Sequence, residues 1–421
     1  MKKLFSSYKK AFNKAFIWHM IGITLNALYP ILLIIFVTRY NGISNSGLFS
    51  LTFYLASFFS TITAYGGRIY HVSDVQAKYS DSQYVTLRYF TSSIMLFIAF
   101  MFCVINYYDI SKASLFFIFL FFRVFESISD SYYGIMQKNN DLVSIGKSFT
   151  IKSIISCIMF IILDLITRNI IISSLAIAFS NYLIMKIYDK RIISKYSHVK
   201  TKMDIGIGKL LKECFPIFVF SFLQLFLINI TRYVADIFLS NEIQGYFGIL
   251  IAPASIIALI AQFAIQPSVR SLSELLDKKE YNIFKTNIKR INISLMFVGV
   301  IISLLTYLIG SEALSYIYNL DLTQYKLLLT FIVMGGMLYG LSFIYSTILT
   351  ILRSFKSQLY IYIVSIIFSI IVSIIFINKW GLNGALYAFF ISMVFQFVLF
   401  GIYYFIKTKI INNINSRYVS R

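Results

Sequence analysis

The sequence predicts an all-α, polytopic membrane protein, and its composition, segment lengths and charge placement all point the same way. Hydrophobic residues make up 58% of the chain and charged residues only 13%, whereas soluble domains are about a quarter charged. A chain this apolar lacks the polar side chains to cover itself in water. A spanning helix needs roughly 20 apolar residues to cross about 30 Å of hydrocarbon, and the 421 residues supply such segments repeatedly.

Apolar runs bounded by charged residues, Gly, Asn or Pro predict twelve transmembrane helices. The first six predicted spans are residues 15–37, 47–66, 89–108, 113–134, 148–166 and 169–186. The second six are residues 213–236, 244–266, 290–309, 325–350, 358–378 and 382–407. The lysine-rich segment 1–14 precedes the first apolar run, as the basic start of a secretory signal peptide would. That run continues past Pro30 without a small-residue cleavage pattern, so we expect a spanning helix there.

Lysine and arginine residues predict the orientation of the chain in the membrane. The side that holds the N-terminus carries 31 of them, and the opposite side carries 5. Positively charged loops stay on the cytoplasmic side, so both termini are predicted to be cytoplasmic in a multi-pass protein of the cell's inner (plasma) membrane. The same bias explains the net charge of +21, and we expect no nucleic-acid partner.

The two sets of six spans predict two bundles. We expect an N-terminal six-helix bundle at residues 1–188, a basic cytoplasmic linker at 189–212 and a C-terminal six-helix bundle at 213–421. Similar residues recur at an offset of 198: Gly47-Leu48-Phe49-Ser50 resembles Gly245-Tyr246-Phe247-Gly248, and Ala56-Ser57 matches Ala254-Ser255. Because six is even, the halves share one orientation. This predicts a pseudo-twofold axis along the membrane normal, with a cavity between the bundles.

The fourth span carries three charged residues on one helical face, namely Arg123, Glu126 and Asp130. Each charge within a bilayer costs about 2.5–3.5 kcal/mol, so this face is expected to contact protein or water. In one interpretation Arg123 and Glu126 form a structural pair one turn apart. In the other, the face lines a cavity, and Glu126 and Asp130 bind a coupling proton or sodium ion.

Four further charged residues are candidates for substrate binding. Arg232 and Asp236 are spaced as a pair near the outer end of the seventh span, and Arg39 ends the first span. Arg68 opens the first long cytoplasmic loop, where a guanidinium suits a phosphate group. For each of these arginines a plain topological charge is the alternative.

One acid–base spacing and two residue types are assigned no functional role. Asp164 and Arg168 are spaced as an outer ion pair. The three cysteines and three histidines are scattered, and no phosphate-binding Gly-Lys-Ser loop occurs. We therefore expect no enzyme, no metal site and no cofactor. Energy for any transport then comes from an ion gradient, the substrate gradient or another chain.

Three parts of the chain resemble the Wzx-type polysaccharide-biosynthesis flippases, within the superfamily that includes multidrug and toxin exporters. The first comprises Tyr40-Asn41-Gly42, Gly47-Leu48-Phe49-Ser50, Gly67-Arg68-Ile69-Tyr70-His71-Val72-Ser73-Asp74-Val75 and Tyr79-Ser80-Asp81. The second comprises Phe215-Pro216, Tyr233 to Asp236, Glu242 and Gly245-Tyr246-Phe247. The third is Gly381-Leu382-Asn383-Gly384-Ala385.

This resemblance implies a flippase that moves an undecaprenyl-pyrophosphate-linked oligosaccharide across the membrane by alternating access. The product would be O-antigen, capsule or exopolysaccharide, with membrane lipids, a polymerase and a chain-length regulator as partners. The resemblance also implies a cationic cavity, although only Arg123 and Arg232 lie clearly inside the predicted spans. Two alternatives remain: a drug or cation exporter of the same superfamily, which Glu126 and Asp130 favour, and a membrane glycosyltransferase or polymerase.

Overall fold

The computed structural model describes residues 2–74, 77–199, 201, 205–265, 268–352 and 354–419. These residues form helices and turns, and no β-strand occurs among them. The chain divides into two compact units, Met1–Phe222 and Leu223–Arg421. The division falls inside one long helix, α9 (Ile205–Phe238), and each unit is described by itself. The predicted linker includes residues 200 and 202–204, which lie outside the described residues, and the predicted bundle boundaries stay a prediction.

The first unit contains eight helices and the first half of α9. They are α1 (Lys2–Asn41), α2 (Ile43–Ala64), α3 (Gly67–Ser73), α4 (Asp81–Ile105), α5 (Ile110–Lys138), α6 (Leu142–Thr167), α7 (Ile170–Ile184) and α8 (Lys190–Ile193). A π-helical turn, Met185–Asp189, joins α7 to α8.

Helix α5 is the centre of the first unit, because α2, α3, α4, α6 and α7 all pack against it. Its apolar residues bury aromatic rings against α2. The rings of Phe119 and Phe49 meet edge to face at 5.1 Å, and those of Phe116 and Phe59 at 5.5 Å. Such pairs stabilise a core beyond the area they bury, and they hold α5 against α2.

Helices α1 and α6 approach closely through glycine. A Cβ on Gly146 would lie 2.2 Å from the carbonyl oxygen of Trp18, and one on Gly22 would lie 2.4 Å from that of Gly146. Small residues allow this contact between backbones, a common arrangement in membrane helices because lipid provides no hydrophobic force to press helices together.

The second unit contains the remaining half of α9 and six further helices. They are α10 (Asn241–Ile265), α11 (Val269–Asp277), α12 (Tyr281–Leu305), α13 (Ser311–Tyr318), α14 (Lys326–Ile351) and α15 (Phe355–Val419). Helix α14 is the centre, with α10, α12 and α15 packed around it. Gly336 and Gly340 make its contact with α10 close, since an added Cβ would lie 2.7 Å from Ala254 or Ala261.

Helix α15 is interrupted at Gly381, whose φ of 54° and ψ of −125° are not helical. A Cβ on Gly384 would lie only 1.9 Å from the carbonyl oxygen of Phe376. Residues eight apart in a straight helix are about 12 Å apart along the axis, so the chain folds back at Gly381. Only glycine adopts this backbone conformation readily.

Nine helices among the described residues are long and apolar enough to cross a membrane, and one of them is the interrupted segment Phe355–Thr408. A multi-pass, all-helical membrane protein is therefore confirmed, whereas twelve spans in two six-helix bundles stay a prediction. Helix α5 is not among the nine, and it carries the charged residues of the fourth predicted span.

The predicted helix boundaries need correction in several places. Four helices begin well before the predicted spans at 89, 148, 213 and 290, because α4, α6, α9 and α12 start at residues 81, 142, 205 and 281. The segment after Gly66, predicted as a loop, is the short helix α3, and the predicted outer loop at 310–324 contains α13. Hydropathy detects the hydrocarbon-length core of a helix and not its polar ends.

Candidate functional site

A polar cavity of about 290 Å³ lies within the first unit. Helices α1, α2, α5 and α6 supply its lining, which consists of Asn26, Ser60, Thr63, Ala64, Arg123, Glu126, Ser127, Asp130, Tyr133 and Phe149. The three charged residues of the fourth predicted span thus line one cavity together, and their roles in ion coupling and substrate binding stay predictions.

Arg123 and Glu126 form an ion pair on this face. Arg123 Nη1 lies 2.5 Å from Glu126 Oε2, and Nη2 donates a hydrogen bond to Ser57 Oγ of α2. The guanidinium also lies 4.8 Å from the ring centroids of Phe53 and Phe122. Arg123 and Glu126 are therefore paired and also line the cavity, whereas ion binding by Glu126 and Asp130 stays a prediction.

Asp130 accepts hydrogen bonds from two arginines that arrive from different helices. Its Oδ1 lies 3.0 Å from Arg68 Nη1 of α3, and its Oδ2 lies 2.7 Å from Arg88 Nη2 of α4. Arg68 also donates to Gln137 Oε1 through Nε (3.2 Å) and Nη2 (3.0 Å). No partner of Asp130 is predicted from the sequence, whereas the structure brings two arginines to it, and the cluster carries one net positive charge.

The turn between α2 and α3 brings Arg68 to α5. Tyr65 and Gly66 have positive φ values of 43° and 66°, which end α2 and restart the chain as α3. Helix α3 then packs tightly on α5, since a Cβ on Gly134 would lie 2.6 Å from His71 Nδ1. Only a residue without a side chain at Gly134 allows this approach, which places Arg68 within hydrogen-bond distance of Asp130.

A second ion pair is buried next to the cavity. Lys152 of α6 lies 2.6 Å from Asp189 Oδ2, and the side chains are 4% and 0% exposed. Lys152 Nζ also donates to Tyr133 OH at 2.9 Å and to Ser129 Oγ at 2.6 Å, while Ser148 Oγ donates to Asp189. Tyr133 belongs to both the cavity lining and this network.

The other predicted substrate-binding residues do not join this cavity. Arg39 is exposed in the last turn of α1. Arg232 and Asp236 belong to the second unit, where Arg232 is 4% exposed and its guanidinium lies 6.0 Å from the ring centroid of Phe247. Their assignment as substrate contacts stays a prediction.

The ion pair predicted between Asp164 and Arg168 is not formed. Asp164 is fully buried and accepts hydrogen bonds from Asn41 Nδ2 at 3.1 Å and Ser173 Oγ at 3.0 Å. Arg168 is exposed, and its Nη1 reaches the carbonyl oxygen of Tyr40 at 3.4 Å. Arg168 takes a left-handed backbone conformation (φ 51°) that ends α6, so its side chain leaves the helix before it can contact Asp164.

Sequence reasoning assigned no role to Arg88 and Lys152 and counted both among the cytoplasmic charges, although Lys152 lies within the predicted span 148–166. The sequence contains helix caps that mark where the helices carrying these two residues begin. Ser80 and Gln83 form a capping box that starts α4, and the Asp141 side chain caps α6 by accepting from Ser144 N at 3.0 Å. A helix counted from these caps places both basic residues inside it. The statement that only Arg123 and Arg232 lie inside the predicted spans overlooked Lys152, and Arg88 lies just before a predicted span but inside α4.

The loop before α4 is held by Asp74. Partial burial would raise the pKa of this carboxyl group, but hydrogen bonds from the backbone N–H groups of Lys78 and Tyr79 and from Tyr84 OH outweigh it and leave the pKa lowered. In the same loop, a hydrogen bond with Glu213 raises the pKa of Lys78. Asp74 is thus an anchor for this loop.

No set of three or more His, Cys, Asp or Glu side chains within the described residues is arranged to hold a metal ion. Cys103 and Cys214 are buried, Cys157 is partly buried, and all three are free thiols.

Comparison with known proteins gives the fold its context, although no family model matches the chain. A curated relative, the capsular polysaccharide biosynthesis protein CapF of Staphylococcus aureus, is 27% identical over 94% of this chain and 99% of its own length. An inward-facing multidrug resistance MATE family transporter of the MOP superfamily aligns with a TM-score of 0.70 at 11% identity, covering 94% of this chain and 99% of that chain. The chain has the fold of these transporters.

The lipid II flippase MurJ, in an inward closed conformation, aligns with a TM-score of 0.68 at 16% identity, covering 91% of this chain and 86% of that chain. Each of these three relatives is named for transport, lipid flipping or capsule biosynthesis, and none is named as an enzyme. The resemblance to flippases found in the sequence is thus matched by a relative in capsule biosynthesis and by neighbours with a transporter fold.

Proposed function

We propose that this protein is a flippase that moves a polyprenyl-pyrophosphate-linked oligosaccharide repeat unit from the cytoplasmic to the outer leaflet for surface polysaccharide assembly. The observation that carries the proposal is the cavity of the first unit, with Arg123 in its lining and the Arg68–Arg88 pair bound to Asp130. A capsule-biosynthesis relative and a lipid II flippase with the same fold support a lipid-linked sugar as the substrate class.

In this proposal the arginines hold the pyrophosphate and the lipid tail stays in the bilayer. A guanidinium presents a planar fork of donors that matches phosphate oxygens. Arg68 and Arg123 make the first contacts, and Arg39, Arg232 and Asp236 act at other stages of the passage. Two six-helix bundles then expose the site to each side in turn.

Three helices support the twelve-span arrangement, because together they add three crossings to the nine apolar helices identified among the described residues. Helix α15 folds back at Gly381, so it supplies two crossings where hydropathy alone records one. Helices α5 and α10 are 29 and 25 residues long, enough to span about 30 Å. Twelve crossings keep both termini on the cytoplasmic side, as the charge count requires.

The main alternative is export of organic cations, which would require an anionic cavity. Glu126 and Asp130 are the cavity carboxylates, and both are neutralised by arginine. The cavity therefore favours an anionic substrate. An ion gradient remains our proposal for the driving force, with Glu126 as a candidate coupling residue beside Asp130.

The test is deletion of the gene in its native host, followed by quantification of lipid-linked repeat units in the membrane and of surface polysaccharide. We expect the lipid-linked units to accumulate at the inner leaflet and surface polysaccharide to fall at least tenfold, with recovery on expression of the wild-type chain. Everted vesicles assayed with organic cations serve as the control. Cation uptake that depends on this chain, with unchanged surface polysaccharide, would reject the flippase.

A further inference from the structure

The cluster of Arg68, Arg88 and Asp130 is an anion site that the protein itself occupies. Two guanidiniums from separate helices bind one carboxylate, each oxygen taking one arginine at 3.0 and 2.7 Å. Asp130 lines the cavity and its side chain is 30% exposed. The two guanidiniums offer this carboxylate the positive charge and the N–H donors that a phosphate group would otherwise receive.

The two arginines differ in how firmly they are held. Arg88 is 1% exposed, and its Nη1 donates to the carbonyl oxygen of Thr63 at 2.9 Å. Arg68 is 22% exposed and lies on the seven-residue helix α3. Its remaining hydrogen bonds go to the neutral amide of Gln137. Arg88 is therefore a fixed component, and Arg68 is the partner that can be exchanged.

The arginine and lysine charges around the cluster are paired with carboxylates. Arg123 is paired with Glu126 and Lys152 with Asp189, and His71 Nε2 lies 2.9 Å from Asp81 Oδ1. His19 of α1 lies within electrostatic range of Arg68. Helix α2 supplies only neutral groups to the cavity. The excess positive charge beside the cavity therefore resides at Arg68 and Arg88, where Asp130 compensates half of it.

We propose that Asp130 is a built-in competitor for the phosphate of the substrate. When the pyrophosphate enters, it takes Arg68 from Asp130, while Arg88 continues to hold the carboxylate. When the substrate leaves, Asp130 binds Arg68 again, which lowers the affinity of the site and keeps the Arg68 guanidinium paired while the empty cavity returns. This inference rests on the proposed function and gives Asp130 a role in substrate release that differs from binding a coupling ion.

The test measures binding of inorganic pyrophosphate to the purified full-length chain in detergent by calorimetry, for wild type, Asp130→Asn, Asp130→Ser and Arg68→Gln. We expect both Asp130 variants to bind at least about tenfold more tightly than wild type, and Arg68→Gln to lose measurable binding. The Asp130 variants should bind more tightly because they lack the carboxylate that competes with pyrophosphate for Arg68. The exposed Asp321→Asn serves as the matched acid-to-amide control and should bind as wild type does.

Transport provides a readout that a merely structural role of Asp130 would not move. In the native host, Asp130→Asn should lower surface polysaccharide several-fold while its affinity for pyrophosphate rises, since release becomes slow. Unchanged or weaker binding in both folded Asp130 variants would overturn the inference. If wild type and Arg68→Gln bind alike, the phosphate role of Arg68 in the proposed function fails instead.

Farnesyl pyrophosphate, added as a competitor, separates a lipid headgroup from a free anion. Displacement of inorganic pyrophosphate at equal or lower concentration supports a lipid-linked ligand. Failure to displace it identifies a site for soluble phosphate and overturns the lipid part of the inference.

Discussion

At the scale of single residues, the first unit is organised by ionic groups that the bilayer would not tolerate alone. Lys152 and Asp189 illustrate the principle, because each is almost completely buried and each satisfies the other at 2.6 Å. Breaking such a pair leaves one uncompensated charge, which is far more destabilising than removing both charges. Ser129, Ser148 and Tyr133 complete the hydrogen bonding of the pair.

Single variants at this pair should therefore destabilise the protein, and the double variant should recover. We expect Lys152→Met and Asp189→Asn each to lower the free energy of unfolding by about 3–5 kcal/mol. The double variant, Lys152→Met with Asp189→Asn, should recover most of the lost free energy of unfolding. Thermal denaturation in detergent, followed by size-exclusion chromatography, ranks the stability of wild type, the single variants and the double variant. Equal loss in the single and double variants would show that the pair does not act as a unit.

The loop anchored by Asp74 should depend on pH in a defined direction. Because the pKa of Asp74 is lowered in the folded state, its stabilising contribution is fully present above the ordinary value of about 3.8 and is lost as the pH falls through the lowered value. Asp74→Asn should produce the same loss at neutral pH. Hydrogen exchange of the Lys78 and Tyr79 amides, which donate to this carboxylate, should then accelerate severalfold. Unchanged exchange in Asp74→Asn would reject Asp74 as the anchor.

Sequence reasoning reached the charged face of α5 but not the partners that complete the site. Arg123, Glu126 and Asp130 share one helix, so helical spacing was enough to group them. Arg68 and Arg88 reach Asp130 from α3 and α4, and no local pattern records which distant helices meet. The cap at Ser80 was an available signal, and it would have moved Arg88 from a loop into a helix.

At the scale of elements, close helix contacts through glycine set the geometry of each unit. Helix α1 meets α6 at Gly22 and Gly146, and α14 meets α10 at Gly336 and Gly340. In both pairs the backbone of one helix occupies the space that a side chain at the glycine of the other helix would need. Hydropathy cannot reveal such contacts, because a glycine within an apolar run has the same pattern whether it faces lipid or another helix.

Gly146→Ala should separate α1 from α6 and destabilise the first unit. The added Cβ would lie 2.2 Å from the carbonyl oxygen of Trp18, so backbone must move, at about 1–3 kcal/mol. Gly401→Ala is the matched control, since nothing lies within 4 Å of its Cβ position. There the replacement should be neutral or stabilise the helix by up to about 1 kcal/mol. Comparable denaturation temperatures for the two variants would contradict the close contact.

At the scale of the whole molecule, apolar content and charge placement were sufficient to predict a multi-pass helical protein. They were also sufficient to locate the breaks between most spans, including the turn at Gly381, because long apolar helices must end where polar residues and glycine allow it. The same information did not show α3, α11 or α13, whose residues are amphipathic or polar. Each unit has as its centre the helix of its fourth predicted span, α5 or α14, an arrangement that an internal repeat would produce.

The orientation of the chain can be tested by labelling single cysteines from outside the cell. Twelve spans with cytoplasmic termini place five crossings between Tyr107 and Lys279, so these residues should lie on opposite sides of the membrane. Tyr107 is 93% exposed at the end of α4, and Lys279 is exposed in the turn before α12. In a background with Cys103, Cys157 and Cys214 replaced by Ser, Tyr107→Cys should react with a membrane-impermeant maleimide in intact cells. Lys279→Cys should react only after permeabilisation. Because the distribution of 31 basic residues against 5 determines this orientation, the opposite labelling would reject it, and equal labelling of both would reject an odd number of crossings between them.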